Sequence, residues 1–249
     1  MFRLFARCRL SSQNRSPRRG YIESMKTLTL AALCTATFSA SASAQVTTID
    51  EGSFTITVNG ARAGREDFRI RSTPGANGAE IVATANVSYG NRRVLPQLQA
   101  DSVGVPLRYV VQVKDGPGVE ERVEGMVGRG RVSASVKNSR GESASEFVVS
   151  QRPVVIDDDV FHHYYFVTRR SPGPVSVIVP RRNTQVVMQL AASGSEQISI
   201  GGTSVDGRRF TIADPGGANR EVWADASGRL LKVAIPSRGI VALRDDPPR

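Results

Sequence analysis

The chain has 249 residues, of which 33 are basic and 23 acidic, and its formal net charge is +10. Residues 1–44 hold seven of the basic residues and one of the acidic ones, which leaves 26 and 22 in the rest of the chain and a net charge of +4 there. A charge this small argues against nucleic-acid binding. Both cysteines, Cys8 and Cys34, also lie in residues 1–44, so the remainder offers no disulfide, cysteine metal ligand or cysteine nucleophile.

Residues 1–44 have the features of a secretion signal. Met25 and Lys26 precede a short apolar run, and the segment ends in Ala42–Ala44, whose A-x-A pattern is typical of a signal-peptidase site. The apolar run is too short to cross a bilayer as a helix. We therefore expect cleavage after Ala44 and export to the periplasm or the cell exterior, and the sequence leaves open whether translation starts at Met1 or Met25.

Strand patterns dominate residues 45–244, which we expect to form a single β-rich domain, with 245–249 as a flexible tail. SFTITV at 53–58 alternates apolar with small polar residues, and Asn59-Gly60 follows it, a strong hairpin signal because both central positions of a type I′ turn need positive φ. Alternating runs continue to GIVALR at 239–244, separated by Gly, Pro, Asn and Asp. Short connections between about thirteen strands predict a large antiparallel meander.

One segment, DDDVFHHYYFVTRR at Asp157–Arg170, favours a helix over residues 159–169. Val160, Tyr164 and Val167 recur at helical spacing, the aspartates suit the start of a helix and the arginines its end. A strand is the alternative, because aromatic residues also favour sheets.

A sheet of this length must curl, close or split, and a lone apolar helix needs a concave surface to pack against. We therefore expect a mainly β fold, a large antiparallel meander curled into a half-barrel around one short α-helix. A closed β-barrel and a two-sheet sandwich are the alternatives. The residues expected to line the hollow are Phe54, Ile56, Phe68, Tyr109, Phe147, Val177, Met188, Phe210, Trp223 and Leu231.

His162 and His163 are the only histidines of the chain. Neighbouring side chains on a helix point about 100° apart, so the pair is poorly placed to share one metal ion, and no third ligand follows at zinc-site spacing. No nucleophile elbow, phosphate-binding loop or dinucleotide motif is present. We therefore expect no metal, no cofactor and no enzyme activity, with a hydrolase using His162 or His163 as a remaining alternative. The candidate ligand-binding residues are His162, His163, Tyr165, Tyr109 and Trp223.

Arginine supplies 29 of the 33 basic residues and recurs in pairs at the ends of predicted elements. Clustered at one rim, such pairs would bind an anionic group or an acidic partner. Arg169, Arg170, Arg181 and Arg182 are the candidates for this role. The alternative is that they only supply charge at soluble turns.

The C-terminal run Arg220–Asp245 contains the hairpin pattern V-W-x-D-x-x-G-x-L-x-x-V, from Val222 to Val233. With this hairpin and its strand pattern over residues 50–244, the chain resembles bacterial periplasmic half-barrel families of unknown function, similar in fold to the lipoprotein carriers of the LolA/LolB type. That resemblance implies a hollow sheet that holds an acyl chain or another apolar ligand, or a structural domain of the cell envelope.

The sequence therefore predicts an exported, non-enzymatic envelope protein that binds or carries a lipid or other apolar ligand and has a protein partner in the envelope. The alternatives are a structural or interaction module without a small ligand and the hydrolase named above. We expect no nucleic-acid partner and no transmembrane span in the mature chain.

Overall fold

The computed structural model describes residues 45–128, 130–149 and 152–249, so the predicted signal segment lies outside the described residues. The described part is mostly strand and contains one α-helix. Its elements are β1 (Thr47–Val58), β2 (Ala61–Gly75), β3 (Gly78–Tyr89), β4 (Arg92–Asp101), β5 (Pro106–Asp115), β6 (Gly118–Gly128), β7 (Arg131–Asn138), β8 (Gly141–Val148), β9 (Val154–Val155), α1 (Tyr164–Thr168), β10 (Gly173–Val179), β11 (Thr184–Ile200), β12 (Thr203–Ala213), β13 (Arg220–Ala224), β14 (Leu230–Ile235) and β15 (Ile240–Arg244), with short 3-10 turns at Pro180–Arg182 and Pro236–Arg238.

All fifteen strands belong to one sheet, in the order β8-β7-β6-β5-β4-β3-β2-β1-β15-β14-β13-β12-β11-β10-β9. The chain meanders from β1 to one edge at β8, passes to β9 at the opposite edge, and meanders back until β15 pairs with β1. Neighbours are antiparallel except β9 and β10, which are parallel. The predicted mainly β meander around one helix is confirmed, and the two-sheet alternative is wrong because the strands form a single sheet.

The two edges of the sheet come close together, so the sheet is strongly curled. Only five residues separate Val148 at the end of β8 from Val154 at the start of β9, and six extended peptide steps reach at most roughly 21 Å. Ser145 on β8 also donates a hydrogen bond to the side-chain oxygen of Asn183, next to β10, over 2.7 Å. No ladder joins β8 to β9 in the part of the chain that the structure describes, so the curled sheet stays open.

The strand β4 has no counterpart among the runs read from the sequence, because Pro96 interrupts its pattern. Proline has no N–H to donate and disfavours a central strand. The structure accommodates it locally: the ladder with β3 has the pairs Thr84–Gln97 and Val87–Val94 and none between them. A short gap in one ladder is therefore enough to place a proline inside the sheet.

The sheet has a small second core on its outer face. The hairpin of β11 and β12 bends at Gly194, which has φ +100° and lies in a break of the ladder. Beyond this bend Ile198 and Ile200 pack with Trp223 and Leu231 in a cluster separate from the main core. Trp223 and Leu231 therefore do not line the hollow as expected from the sequence.

The helix is shorter than predicted: α1 has five residues, and no side chain caps its start at His163. Asp159 has φ +63°, a left-handed conformation that a right-handed helix cannot include. The predicted helix of residues 159–169 with an aspartate cap is therefore wrong, and its first half forms turns. Within the described residues no helix is long and apolar enough to cross a membrane.

Asp245, the first residue of the predicted flexible tail at 245–249, is anchored to the sheet. Its carboxylate accepts hydrogen bonds from Ser53, Thr55 and Arg65, each over 2.6 Å, and its N–H donates to the backbone oxygen of Ser53. The ordered domain thus extends at least one residue beyond its expected end.

Candidate functional site

The hollow of the curled sheet is filled by residues 156–168, called the plug below. All of its side chains are buried except those of Asp158 and Asp159, which are half-buried. The plug packs into the main core, together with inner-face residues such as Phe54 and Phe68. Of the other expected lining residues, Ile56, Tyr109, Val177, Met188 and Phe210 belong to this inner core, and the side chain of Phe147 lies outside the described residues.

A buried carboxylate on β2 holds the middle of the plug. Glu66 is fully buried and accepts hydrogen bonds from the backbone N–H of Phe161 over 2.7 Å and of His162 over 3.0 Å. The Nδ1 atom of His162 lies 2.5 Å from the same carboxylate. The ring of His162 stacks on Phe68, with centroids 6.0 Å apart. One carboxylate of the sheet therefore satisfies two backbone donors that the interrupted helix leaves free.

A second buried carboxylate, Asp157, holds the start of the plug to the sheet. It accepts a hydrogen bond from the hydroxyl of Tyr109 on β5 over 2.5 Å and one from Nε of Arg181 over 2.9 Å. Burial raises the pKa of Asp157, although Arg181 and Tyr109 act to lower it. Burial and the Asp157 charge raise the pKa of the Tyr109 hydroxyl well above its usual value, so it remains a proton donor.

The other two aspartates of the plug pair with arginines from neighbouring turns. Asp158 accepts two hydrogen bonds from Arg182, over 2.5 and 2.7 Å. Asp159 lies 3.7 Å from Arg92 and 3.7 Å from Arg238. The run of three aspartates is thus a row of ion pairs that fixes the plug at the rim, rather than a helix cap or a calcium loop.

Arg181 and Arg182 were anionic-docking candidates, and the structure places both against aspartates of the plug. Arg181 also donates to the backbone oxygen of Asp158. The guanidinium of Arg181 is largely buried, whereas that of Arg182 is more than half exposed.

His163 is the least satisfied group of the plug. Its side chain is fully buried, and neither ring nitrogen has a hydrogen-bond partner. Its ring contacts His162 and Tyr109 edge to face, with centroids 4.5 and 5.5 Å apart. Burial, reinforced by His162 and Arg181, lowers the pKa of His163 well below its usual value. His163 is therefore a neutral ring whose polar atoms face apolar and aromatic surroundings.

Tyr165 and Trp223, the remaining ligand candidates, lie apart from one another. Tyr165 is buried on α1, with Arg169 over its ring at 5.1 Å and Phe166 edge to face at 5.3 Å. Trp223 belongs to the outer cluster and donates its Nε1–H to Glu196 over 2.9 Å. The structure therefore brings together His162, His163 and Tyr109, and leaves Trp223 on the other face.

Arg169 and Arg170, the last docking candidates, line an open pocket of about 470 Å³ together with Arg152, Val103 and residues 174–176. Ser102 and Ser171 complete its wall. This pocket lies where the plug leaves the hollow and enters β10.

Two buried carboxylates on the inner face of the sheet, Glu66 and Asp50, are not among the residues predicted from the sequence. Glu66 shares its face of β2 with Phe68, and Asp50 shares its face of β1 with Phe54. Asp50 is buried and forms two hydrogen bonds with Arg244, over 3.1 and 2.9 Å. The alternation of apolar and polar residues along β1 and β2 already places these two acidic residues on the apolar face. A charge at a core-facing position of a strand needs a buried partner.

The described residues contain no group of three or more His, Cys, Asp or Glu side chains that could hold a metal ion. The only two imidazoles of the chain are adjacent, and one of them is bound to Glu66.

Comparisons with known proteins give a fold-level context. Residues 131–243 match the family model described as a domain of unknown function, DUF6134. The chain is similar to the crystal structure of a beta-barrel-like protein of domain of unknown function DUF1849 from Brucella abortus, at 9% sequence identity and a TM-score of 0.48, over 82% of this chain and 98% of that one. A search of curated proteins found no match. The resemblance to lipoprotein carriers stays a prediction.

Proposed function

We propose that this protein is a non-enzymatic, exported module of the cell envelope whose curled sheet is a packed scaffold for interaction rather than a ligand cavity. The observation that supports this best is the plug, whose buried side chains occupy the concave face where an apolar ligand would otherwise bind. The void between strands β5 to β7 and the opposite edge of the sheet at β9 and β10 is apolar and only about 10 Å³, close to the space one water molecule needs.

The contacts of the plug also support a permanent element. Glu66 and Asp157 are both buried, and each is hydrogen-bonded across the boundary between plug and sheet. Removing the plug would leave Glu66 without partners in an apolar hollow, which costs several kcal/mol, and would leave the hydroxyl of Tyr109 without Asp157.

Burial of the histidines supports a non-enzymatic role. A hydrolase would need a ring nitrogen within reach of a nucleophile and of substrate. The Nε2 atom of His162 has no hydrogen-bond partner, and both imidazole rings are fully buried. Neither ring can meet a substrate while the plug is in place.

The test is native mass spectrometry of the full chain expressed in a bacterial host with its N-terminal segment intact. We expect the folded protein without any bound lipid, and an intact mass that starts at Gln45 if cleavage follows Ala44. A stoichiometric lipid that leaves only on denaturation would overturn the packed-scaffold function. An uncleaved chain that stays in the cytoplasm would overturn the export.

A carrier for a lipid or other apolar ligand is the second candidate, and the unpartnered rings of the plug favour it. Buried polar atoms without partners reduce the stability of the closed form, here both nitrogens of His163 and Nε2 of His162. A plug of this kind would leave the hollow more easily than an apolar one. Saturable uptake of a fluorescent fatty acid, enhanced by Glu66→Gln and unaffected by Glu51→Gln, would support the carrier. No uptake by either variant would exclude it.

A further inference from the structure

The pocket formed by Arg152, Arg169 and Arg170 concentrates positive charge without an acid in contact with it. None of the lining residues that the structure describes is acidic. Within residues 45–128, 130–149 and 152–249, no carboxylate lies within ion-pair distance of any of these three arginines. The other arginine pairs of the described residues, 92–93, 181–182 and 208–209, each have at least one ion pair with a carboxylate.

The carboxylate of Asp101 acts on Arg170 from beyond ion-pair distance, and its charge acts to raise the pKa of Arg170. Asp101 accepts hydrogen bonds from the backbone N–H of Val103 over 3.0 Å and of Val105 over 2.8 Å, and so stabilises the turn between β4 and β5. Asp101 therefore offsets part of the positive charge of the pocket, while its Oδ1 atom is bound to the turn.

Arg170 is held in place by the backbone. One of its terminal nitrogens donates to the oxygens of Gly104 over 3.0 Å and Pro153 over 3.4 Å, and its Nε is buried without a partner. Burial, followed by the charge of Arg152, lowers the pKa of Arg170. A guanidinium fixed in this way is preorganised to bind an anion, because little side-chain entropy is lost on binding.

Arg152 and Arg169 reach the same pocket from separate segments. Arg152 has φ +54°, a left-handed conformation that costs a non-glycine residue roughly 1–2 kcal/mol. Arg169 packs its guanidinium on the ring of Tyr165, at 5.1 Å from the centroid. The fold therefore holds three positive charges close together, although Arg152 has a strained backbone and the three guanidinium groups repel one another.

We propose that this pocket is a binding site for a phosphate group, either of a soluble phosphate ester or of a lipid headgroup. The forked guanidinium matches phosphate oxygens with two parallel hydrogen bonds, and bound phosphate removes the repulsion among the arginines. The pocket of about 470 Å³ is larger than phosphate alone. The exposed side chain of Val103 and the ring of Pro174 would contact the group to which the phosphate is attached. The inference goes beyond the proposed function and holds whether or not the hollow takes a ligand.

The test is titration of the purified full-length protein with inorganic phosphate by isothermal calorimetry. Wild type is expected to bind phosphate saturably, and the double variant Arg152→Gln/Arg169→Gln to bind at least about tenfold more weakly, the loss of one charge-assisted hydrogen bond or more. Arg169→Lys keeps the positive charge but loses the forked guanidinium. Its affinity for phosphate is expected to lie between those of wild type and the double variant. Arg140→Gln, an exposed arginine in the turn between β7 and β8, is the matched control and should bind like wild type.

Absence of saturable binding at about 10 mM phosphate, or equal affinity in wild type and the double variant, would overturn the site. Both substituted arginines are exposed, so the double variant should keep the wild-type melting temperature, which shows that it is folded. A second arm measures binding to vesicles of phosphatidylcholine with and without phosphatidylglycerol. Arginine-dependent binding to the anionic vesicles assigns the phosphate to a lipid headgroup, and phosphate binding without vesicle binding assigns it to a soluble ester.

Discussion

Glu66 on β2 and His162 in the plug form a fully buried pair, with the carboxylate 2.5 Å from Nδ1 of the ring. The same carboxylate accepts the N–H of His162 and of Phe161. These contacts join residues 96 positions apart and fix the plug against the inner face of the sheet. The geometry makes Glu66 the residue on which the closed hollow depends most.

Glu66→Gln should therefore destabilise the fold strongly. The substitution keeps the size of the side chain but turns one acceptor into a donor that faces other donors, and it removes a buried charge interaction. We expect the free energy of unfolding to fall by about 2–4 kcal/mol, measured by urea denaturation. The matched control is Glu51→Gln on β1, whose exposed ion pair with Arg69 should contribute less than about 1 kcal/mol. Equal effects at the two positions would contradict the role given to Glu66.

Tyr109→Phe tests the second contact between plug and sheet. Loss of the hydroxyl leaves Asp157 without one of its three hydrogen-bond donors, at a cost of about 1–3 kcal/mol. In a double-mutant cycle with Asp157→Asn, the two substitutions should be coupled by at least about 0.5 kcal/mol. Tyr89→Phe provides the control and should change stability little, because its half-buried hydroxyl is not one of the three donors to Asp157. Strict additivity of Tyr109→Phe and Asp157→Asn would refute the contact.

Stability should fall on acidification because of His163. Burial lowers the pKa of His163 in the folded protein, whereas an unfolded histidine titrates near pH 6.5. Below that pH the unfolded chain binds a proton that the folded protein does not, so the free energy of unfolding decreases by about 1.4 kcal/mol per pH unit from this group. The raised pKa of Asp157 acts in the opposite direction as the pH falls through its folded value.

Comparison with His163→Phe isolates the histidine contribution. The variant has its own packing cost, which the measurement at pH 8 gives. As the pH is lowered from about 6.5 to 5, the free energy of unfolding of the variant should rise steadily relative to that of wild type. Urea denaturation of both proteins at each pH measures this difference. A difference that stays constant across the range would mean that the folded protein takes up this proton as readily as the unfolded chain, so that the pKa of His163 is not lowered.

Leu231→Ala tests the outer core. Leu231 is fully buried although it faces away from the hollow, under the bent hairpin of β11 and β12. We expect a loss of about 2–5 kcal/mol, as for a buried leucine in any core. Val187→Ala on the exposed part of β11 is the control, with an expected change within about 0.5 kcal/mol. A small effect at Leu231, measured as the shift in melting temperature, would show that the hairpin does not cover this face.

The strands and their turns follow from the sequence because they depend on residues close together in the chain. Phe54 and Ile56 alternate with polar neighbours, and both are fully buried on the inner face. Asn59 and Gly60 have φ of +50° and +81°, as the predicted type I′ turn requires. The apolar segment within Asp157–Arg170, the one helical pattern in a long meander, also led to the correct prediction that the sheet curls around it.

What the plug does was decided only by tertiary structure. Local rules place an aspartate at a helix start, but Asp157 and Asp158 pair with arginines that come 24 residues later in the chain. Glu66 accepts from the backbone donors that an aspartate cap would otherwise satisfy. Such long-range contacts form only when the sheet brings distant parts of the chain together. A buried carboxylate is stabilised more by these contacts than by the N–H groups at the start of a helix. The sequence by itself determined most of the strands, their alternation and the curled sheet, because these depend on neighbouring residues, whereas the tertiary structure placed Pro96 inside a strand and decided which partner each buried charge meets and that the hollow is filled.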